Sequence, residues 1–222
     1  MESRAITQDA VRRGAAVYSR PVLAVYDLFV LGFTNTFVWK CPSSKILEFY
    51  NQNVSDKHLD VGVGTGYFLD HCRFPSSSPQ IALMDLNENS LQKTANRLRR
   101  YHPKSYRRNV LEPIEIGDSG FGSIGLNYLL HCLPGNMVSK RAVFENLKPL
   151  LRDGGVIFGT TILGIGVRRT WLTRLYMRMF NSNGVFCNYE DGVQDLETGL
   201  SKTFGRYQVS IRGCIAFFRA WR

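Results

Sequence analysis

The chain has 222 residues, 44% of them hydrophobic and 21% charged. That composition suits one domain with a full core and excludes a disordered chain. The net charge of +10 is compatible with a basic face for nucleic acid, an anionic surface or an acidic partner, and equally with solvated helix faces.

The N-terminal stretch "MESRAITQDAVRRG" has no apolar core or small-residue cleavage site, so it does not read as a secretory signal. The apolar run over residues 21–33 is too short to span a bilayer and carries Asp27 in its middle. These features lead to the expectation of a soluble, cytoplasmic protein without a transmembrane segment. Tyr18, Tyr26, Phe29, Phe33, Phe37 and Trp39 crowd the first 42 residues. Residues 1–42 are therefore expected to form an N-terminal helical lid segment ahead of a domain over 43–222.

From residue 57 onward, apolar runs alternate with helical patterns, which predicts a sheet flanked by helices. "KHLDVG" is a strand, residues 66–72 a short helix, and "QIALMD" a second strand ending at Asp85. Asn87 suits the N-cap of the next helix, whose Leu91, Ala95 and Leu98 recur at helical spacing. A third strand is expected near "SYRRNVL" and a fourth over "FGSIGLNYLL". "SKRAVFENLKPLLRDGG" reads as a helix with Val143, Leu147, Leu150 and Leu151 on its buried face, stopped by Gly154 and Gly155. "VIFGTTIL" is the fifth strand. A helical insert over about 163–203 follows, with Arg168, Arg169, Arg174 and Arg178 in its first helix and a turn at "NSNG". "YQVSIRGCIAFFRAW" closes the chain as a hairpin turning at Arg212 and Gly213. Strands joined without a helix must be antiparallel. The expected fold is α/β: a Rossmann-like, doubly wound, mostly parallel seven-stranded sheet with an antiparallel C-terminal hairpin.

Five cysteines, Cys41, Cys72, Cys132, Cys187 and Cys214, are widely spaced and form no CxxC pair. They point to no metal site and no disulfide framework, and read as small buried hydrophobes. The basic cluster of Lys93, Arg97, Arg99, Arg100, Lys104, Arg107 and Arg108 comes without an RNA-binding signature, so nucleic acid is not the expected partner.

The stretch "HLDVGVGTGYFLD" carries the functional signal. Glycines between a strand and its helix let the backbone approach a ligand closely. A dinucleotide site wants GxGxxG, but here Gly62, Gly64 and Gly66 are followed by Tyr67, and no GK[ST] follows for a phosphate loop. A nucleoside cofactor without phosphates fits better. Asp85 ends the second strand, where an acid can accept from both hydroxyls of a ribose. An acid beside a helix N-terminus is also favoured by the helix dipole alone.

"LDVGVGTG", "LMDLNENSL", "FGSIGLNYLLHCLPG", "LKPLLRDGGVIFGTT" and the closing hairpin together resemble a class I S-adenosylmethionine-dependent methyltransferase over residues 43–222. The resemblance implies that Asp60, Gly62, Gly64 and Gly66 line the methionine and ribose side of the cofactor. It implies that Asp85 holds the ribose hydroxyls and that Leu86 packs on the adenine. Asn109 would meet the adenine amine, with Val110 against the ring; the family often has an aspartate at that position. Asn127 and Tyr128 would face the transferred methyl.

The sulfonium carries an activated methyl group, so the protein's task is alignment and water exclusion. His131 follows one turn later and is read two ways, as a general base or as a histidine packed under the loop. Flanking aromatics, including Trp171, Tyr176, Phe180 and Phe186 beside Met177 in the insert, suit a lid over a small or extended organic acceptor. "NYLLHCLPG" and "GYFLDHC" are similar to small stand-alone methyltransferases near natural-product pathways in bacteria and fungi, which implies a secondary metabolite or its precursor. A carrier-protein-bound acceptor would be helped by the +10 charge. Rival readings are a cofactor-binding cyclase or isomerase, a nucleic-acid methyltransferase and a non-catalytic scaffold. Oligomeric state is not legible.

Overall fold

The computed structural model describes the backbone of residues 27–222 and the side chains from Gly32 onward. Tyr18, Tyr26 and the Phe29 side chain lie outside the described residues. A π-type helix, Asp27–Val38, leads into helix α1, Ser43–Asn53. Seven strands then form a single sheet in the order β3-β2-β1-β4-β5-β7-β6. They are β1 Lys57–Val61, β2 Gln80–Asp85, β3 Lys104–Arg107, β4 Phe121–Asn127, β5 Leu151–Ile162, β6 Arg206–Arg212 and β7 Ile215–Trp221.

Strands β1, β2 and β4 are buried on almost every residue because helices cover both faces of the parallel half, even where β1 and β4 carry His58, Asp60 and Ser123. The edge strands differ. β3 reads KSYR and β6 reads RYQVSIR, and the charged side chains on them discourage edge-to-edge pairing. β7 runs antiparallel to both β5 and β6, so the C-terminal hairpin has the sense expected from its short connection. The Rossmann-like α/β reading holds for the whole sheet.

Helices α2 (Tyr67–His71), α3 (Glu88–Arg97), α4 (Met137–Lys140), α5 (Ala142–Leu147), α6 (Trp171–Ser182) and α7 (Val193–Thr203) connect or flank the strands. Asn87 caps α3 as predicted, accepting from the backbone N–H groups of Asn89 and Ser90. Asn136 and Thr170 cap α4 and α6 in the same way.

Four local expectations are corrected. The helix expected to run to Gly154 and Gly155 ends instead in a 3-10 turn at Lys148–Leu150, and β5 begins at Leu151. Leu151 pairs with Phe121 and Val156 with Ser123, so residues 152–155 bulge out of the ladder. Gly154 takes φ +72 there, so the glycines serve a bulge rather than a helix stop. Strand β4 stops at Asn127 because Tyr128 adopts φ +58, and β3 stops at Arg107. The hairpin turns on Gly213 and Cys214, since Arg212 and Ile215 are still paired. Of the cysteines, Cys41 and Cys214 are buried, Cys72 and Cys132 half-buried, and Cys187 exposed, so only two fit the buried-hydrophobe expectation; none of the five, all among the described residues, is in a disulfide. No helix of the described residues is long and apolar enough to cross a membrane.

The insert is fastened to α4, in the segment after β4, by a buried ion pair. Lys140 Nζ lies 2.6 Å from Asp191 Oδ2, with both side chains shielded from water. Nζ also donates to the Cys187 carbonyl at 2.7 Å, and Cys187 N–H donates to the His131 carbonyl at 2.8 Å. Removing the cation strands a buried carboxylate. Lys140→Met should therefore lower stability by about 3–5 kcal/mol, as read from urea unfolding, because the unpaired charge costs more than the pair contributes. An unchanged urea midpoint would show that the pair does not fasten the insert.

Candidate active site

The strand order reverses between β1 and β4, whose chains leave the sheet in opposite directions. Crevices for ligands form at the carboxyl ends of strands at such a point. The cavity here opens there. Its lining includes Asp60, Gly62, Gly64, Gly66, Asp85, Leu86, Asn109, Val110, Asn127 and Tyr128. Ten of the eleven residues singled out from the sequence thus meet around one space. His131 is the exception.

The glycine loop is shaped by backbone conformation. Gly62, Gly64 and Gly66 have φ of +72, +52 and +71, a region L side chains avoid. A Cβ on Gly62 would come within 2.7 Å of Leu129 Cδ1, and one on Gly66 within 2.7 Å of Thr94 Cγ2. A Cβ on Gly64 would meet nothing within 4 Å. The outer glycines permit close packing, and the middle one leaves the loop open.

Asp85 sits at the end of β2 with its carboxyl among backbone amides. Asn87 N–H donates to Oδ1 at 2.8 Å, and the amides of Gly64, Leu86 and Val63 also favour its charged form. Burial outweighs them and pushes its carboxyl up to about 6. Asn109 forms a local turn: Oδ1 accepts from Leu111 N–H at 3.1 Å and Nδ2 donates to Glu112 at 2.8 Å. Val110 beside it is buried.

At the end of β4, Thr160 donates to Asn127 Oδ1 at 3.1 Å. Asn127 Nδ2 is buried and has no hydrogen-bond partner among the described residues. Tyr128 donates to Asn35 Oδ1 at 2.9 Å, tying the cavity rim to the π-helix. His131 lies behind this rim, packed at 4.6 Å between ring centroids on Phe186. Its Nδ1 accepts from Ile162 N–H at 3.3 Å, so the neutral ring carries its proton on Nε2. Burial, then the Lys140 charge, lower its pKa to about 3.

The lining also includes Tyr50, Phe68, Met84, Ser90, Arg108 and Cys132, none of which the sequence marked as a site residue. Tyr50 and Phe68 come from amphipathic helices in which they look like ordinary core residues. No local pattern marks them.

The sequence compares with known proteins over its full described fold. A family model described as a methyltransferase domain matches residues 59–157, from β1 into β5. Demethylluteothin O-methyltransferase of Streptomyces thioluteus is 40% identical over 208 residues, covering 94% of this chain and 90% of that protein. The chain belongs to the class I S-adenosylmethionine-dependent methyltransferases. A physcion biosynthesis cluster O-methyltransferase of Aspergillus chevalieri is 34% identical over 212 residues, with 95% of each chain covered. Among solved structures, the DhpI–SAH complex superposes with a TM-score of 0.67 at 14% identity, over 96% of this chain and 97% of that one. The activity of this methyltransferase is transfer of a methyl group from S-adenosylmethionine to a small organic acceptor.

The residues present fit that cofactor. Gly64 leaves the loop open to a ligand, Asp85 is held at the end of β2, and Leu86 and Val110 offer apolar surface. Tyr67 opens α2 where a dinucleotide site would have its third glycine, and its ring stacks on His71 at 4.2 Å.

His131 and Asp85 act on stability with opposite signs. A histidine held neutral in the fold binds fewer protons than the unfolded chain between pH 3 and 6.5, so stability falls as pH drops from 6.5. Asp85, with its pKa raised to about 6, binds more protons folded than unfolded and partly offsets this between about pH 4 and 6. Comparison with His131→Asn isolates the histidine. From pH 7 to pH 5 the wild type should lose about 2 kcal/mol of stability relative to the variant in urea titrations. A pH-independent difference would mean that His131 is not held neutral.

Proposed function

We propose that the chain methylates a hydroxyl oxygen of a small, largely apolar metabolite of a secondary pathway. The observation that carries the acceptor end of this reading is the Asn127 amide. Thr160 fixes its carbonyl end, which leaves Nδ2 buried, unpartnered among the described residues and at the cavity wall. A buried donor without a partner is costly, and a ligand oxygen would satisfy it. The relatives named O-methyltransferases in a bacterium and a fungus support oxygen as the atom methylated.

When bound, S-adenosylmethionine supplies a methyl group already activated on a sulfonium. The residues of the chain then bind and orient. Asp85 would accept from the ribose hydroxyls, and Leu86 and Val110 would offer apolar surface to the adenine. Asn109 Oδ1 keeps a second lone pair for the adenine amine beside its bond to Leu111. Gly62, Gly64 and Gly66 carry the ribose and methionine side, with Asp60 at the amino-acid end. Asn127 Nδ2 would donate to the acceptor oxygen, taken as a phenolate or enolate whose proton has passed to solvent, and the Tyr128 ring would wall the methyl path. His131 supports the rim from behind; its burial and its bond from Ile162 N–H oppose the general-base role.

In the domain over 43–222, the described part of the expected 1–42 lid segment, residues 27–42, and the insert over about 163–203 stand behind the cavity rim rather than lining it. Tyr128 bonded to Asn35 and Phe186 packed on both Trp39 and His131 connect these parts to the rim. The site operates in the cytoplasm on a free acceptor or on one presented by an acidic carrier. Arg168, Arg169, Arg174 and Arg178 give the insert a basic surface for the second mode.

Two outcomes follow. Incubation with S-adenosylmethionine and a panel of phenolic and enolic metabolites should yield a product heavier by one methylene unit, with the added methyl on oxygen by NMR. A product methylated on carbon or nitrogen would contradict the oxygen assignment. Cofactor affinity should be flat above pH 7 and weaken about tenfold per pH unit below 6, as Asp85 is protonated. Asp85→Asn should bind weakly with no such dependence; retention of the wild-type profile would remove Asp85 from the ribose role.

A further inference from the structure

Behind the cavity wall lies a chain of buried polar side chains that methyl transfer itself does not require. His58 and Asp60 are two apart on β1 and point to the same face of the sheet. They pair with Ser123 and Gly125 of β4. A Cβ at position 125 would come within 2.8 Å of Asp60 Oδ1 and 3.2 Å of His58 Cε1, so the glycine makes room for both side chains. Tyr50 of α1 closes over them. Tyr50, His58, Asp60 and Ser123 are all buried.

The contacts form an unbroken series. Ser55 N–H donates to Ser123 Oγ at 2.8 Å. Ser123 Oγ and His58 Nδ1 are 2.7 Å apart, His58 Nε2 and Tyr50 Oη 2.8 Å, and Tyr50 Oη and Asp60 Oδ1 3.0 Å. A carboxylate at Asp60 can only accept, which turns Tyr50 O–H toward it and leaves Tyr50 Oη to accept from His58 Nε2–H; Ser123 Oγ also has Ser55 Oγ at 2.9 Å. With its proton on Nε2, His58 leaves Nδ1 to accept from Ser123 O–H. The opposite order would leave Tyr50 oxygen facing the carboxylate with no proton between them. Each dipole in the chosen order favours negative charge at Asp60, and a fully satisfied buried network is rigid.

We propose that Tyr50, backed by His58 and Ser123, is a positioning residue that fixes the Asp60 carboxylate for the α-ammonium of the cofactor. The proposal rests on the reading that Asp60 faces the amino-acid end. Tyr50 and Asp60 both reach the cavity. With Oδ1 held from behind by Tyr50, Asp60 Oδ2 is the oxygen left to meet the ligand's cation. An ammonium is a compact charge with three donors, and its recognition depends on where the carboxylate oxygen is held.

S-adenosylhomocysteine and 5′-methylthioadenosine separate this role from a structural one, because only the first carries the ammonium. By calorimetric titration, Tyr50→Phe should weaken S-adenosylhomocysteine about tenfold, consistent with losing a hydrogen bond to a charged group, and leave 5′-methylthioadenosine within about twofold. Ser123→Ala, which cuts the series at its far end and tests it without touching Tyr50, should shift the ratio of the two affinities in the same direction. Asp60→Asn is the control for the underlying reading and should weaken S-adenosylhomocysteine selectively. If Asp60→Asn is selective and neither Tyr50→Phe nor Ser123→Ala is, the positioning role is overturned and the site reading stands. Equal weakening of both ligands by Tyr50→Phe also overturns it, as the effect is then general to the fold. If Asp60→Asn leaves both affinities unchanged, the reading of the amino-acid end fails, and the proposal with it.

Discussion

Gly62 and Leu129 meet where β1 and β4 leave the sheet, and the cavity depends on how closely those two loops approach. A side chain on Gly62 would strike Leu129 and would also have to adopt an unfavourable φ. The tight crossing brings the glycine loop, the end of β2 and the end of β4 around one space. It also explains the arrangement of Tyr128, whose positive φ turns the chain out of β4 and carries its hydroxyl to Asn35. The rim, the π-helix and the loop after β4 are thereby a connected unit. Asp85 is set by the same geometry, since the loop amides that reach its carboxyl come from Val63 and Gly64.

Around this crossing the protein buries a set of polar groups, most of them with partners. Lys140 and Asp191 hold the insert to the segment after β4, and the Cys187 carbonyl shares the same cation. Thr160 orients the Asn127 amide from the neighbouring strand. The Ser123, His58 and Tyr50 series stands behind Asp60. Such groups cost free energy to desolvate unless satisfied, so they restrict which side-chain arrangements the cavity can adopt. Methyl transfer from a sulfonium is a matter of alignment more than of proton chemistry. A rigid wall is therefore a sufficient contribution from the scaffold.

Much of this was legible in the sequence because it rests on local rules. The central parallel strands announced themselves as apolar runs, Asn87 as an N-cap, and the three glycines as a loop where the backbone approaches a ligand. Resemblance then gave those positions a cofactor. Other features depend on which residues meet across the fold, and no local pattern carries that information. The bulge at residues 152–155 follows from the register between β4 and β5, although its glycines resemble a helix stop. Tyr50 looks like any core aromatic until α1 is laid over β1. His131 is polar and near the site in sequence, yet the turn after Tyr128 puts it behind the rim, where Phe186 covers it. Lys140 and Asp191 are separated by the whole of β5 and the first helix of the insert.

The most direct measurement is a crystal structure of the chain grown with S-adenosylhomocysteine. Both ribose hydroxyls should lie on the Asp85 carboxylate, the adenine against Leu86 and Val110, and the amino-acid end toward Asp60. Density for the nucleoside away from the end of β2, or a ribose that makes no contact with Asp85, would contradict it.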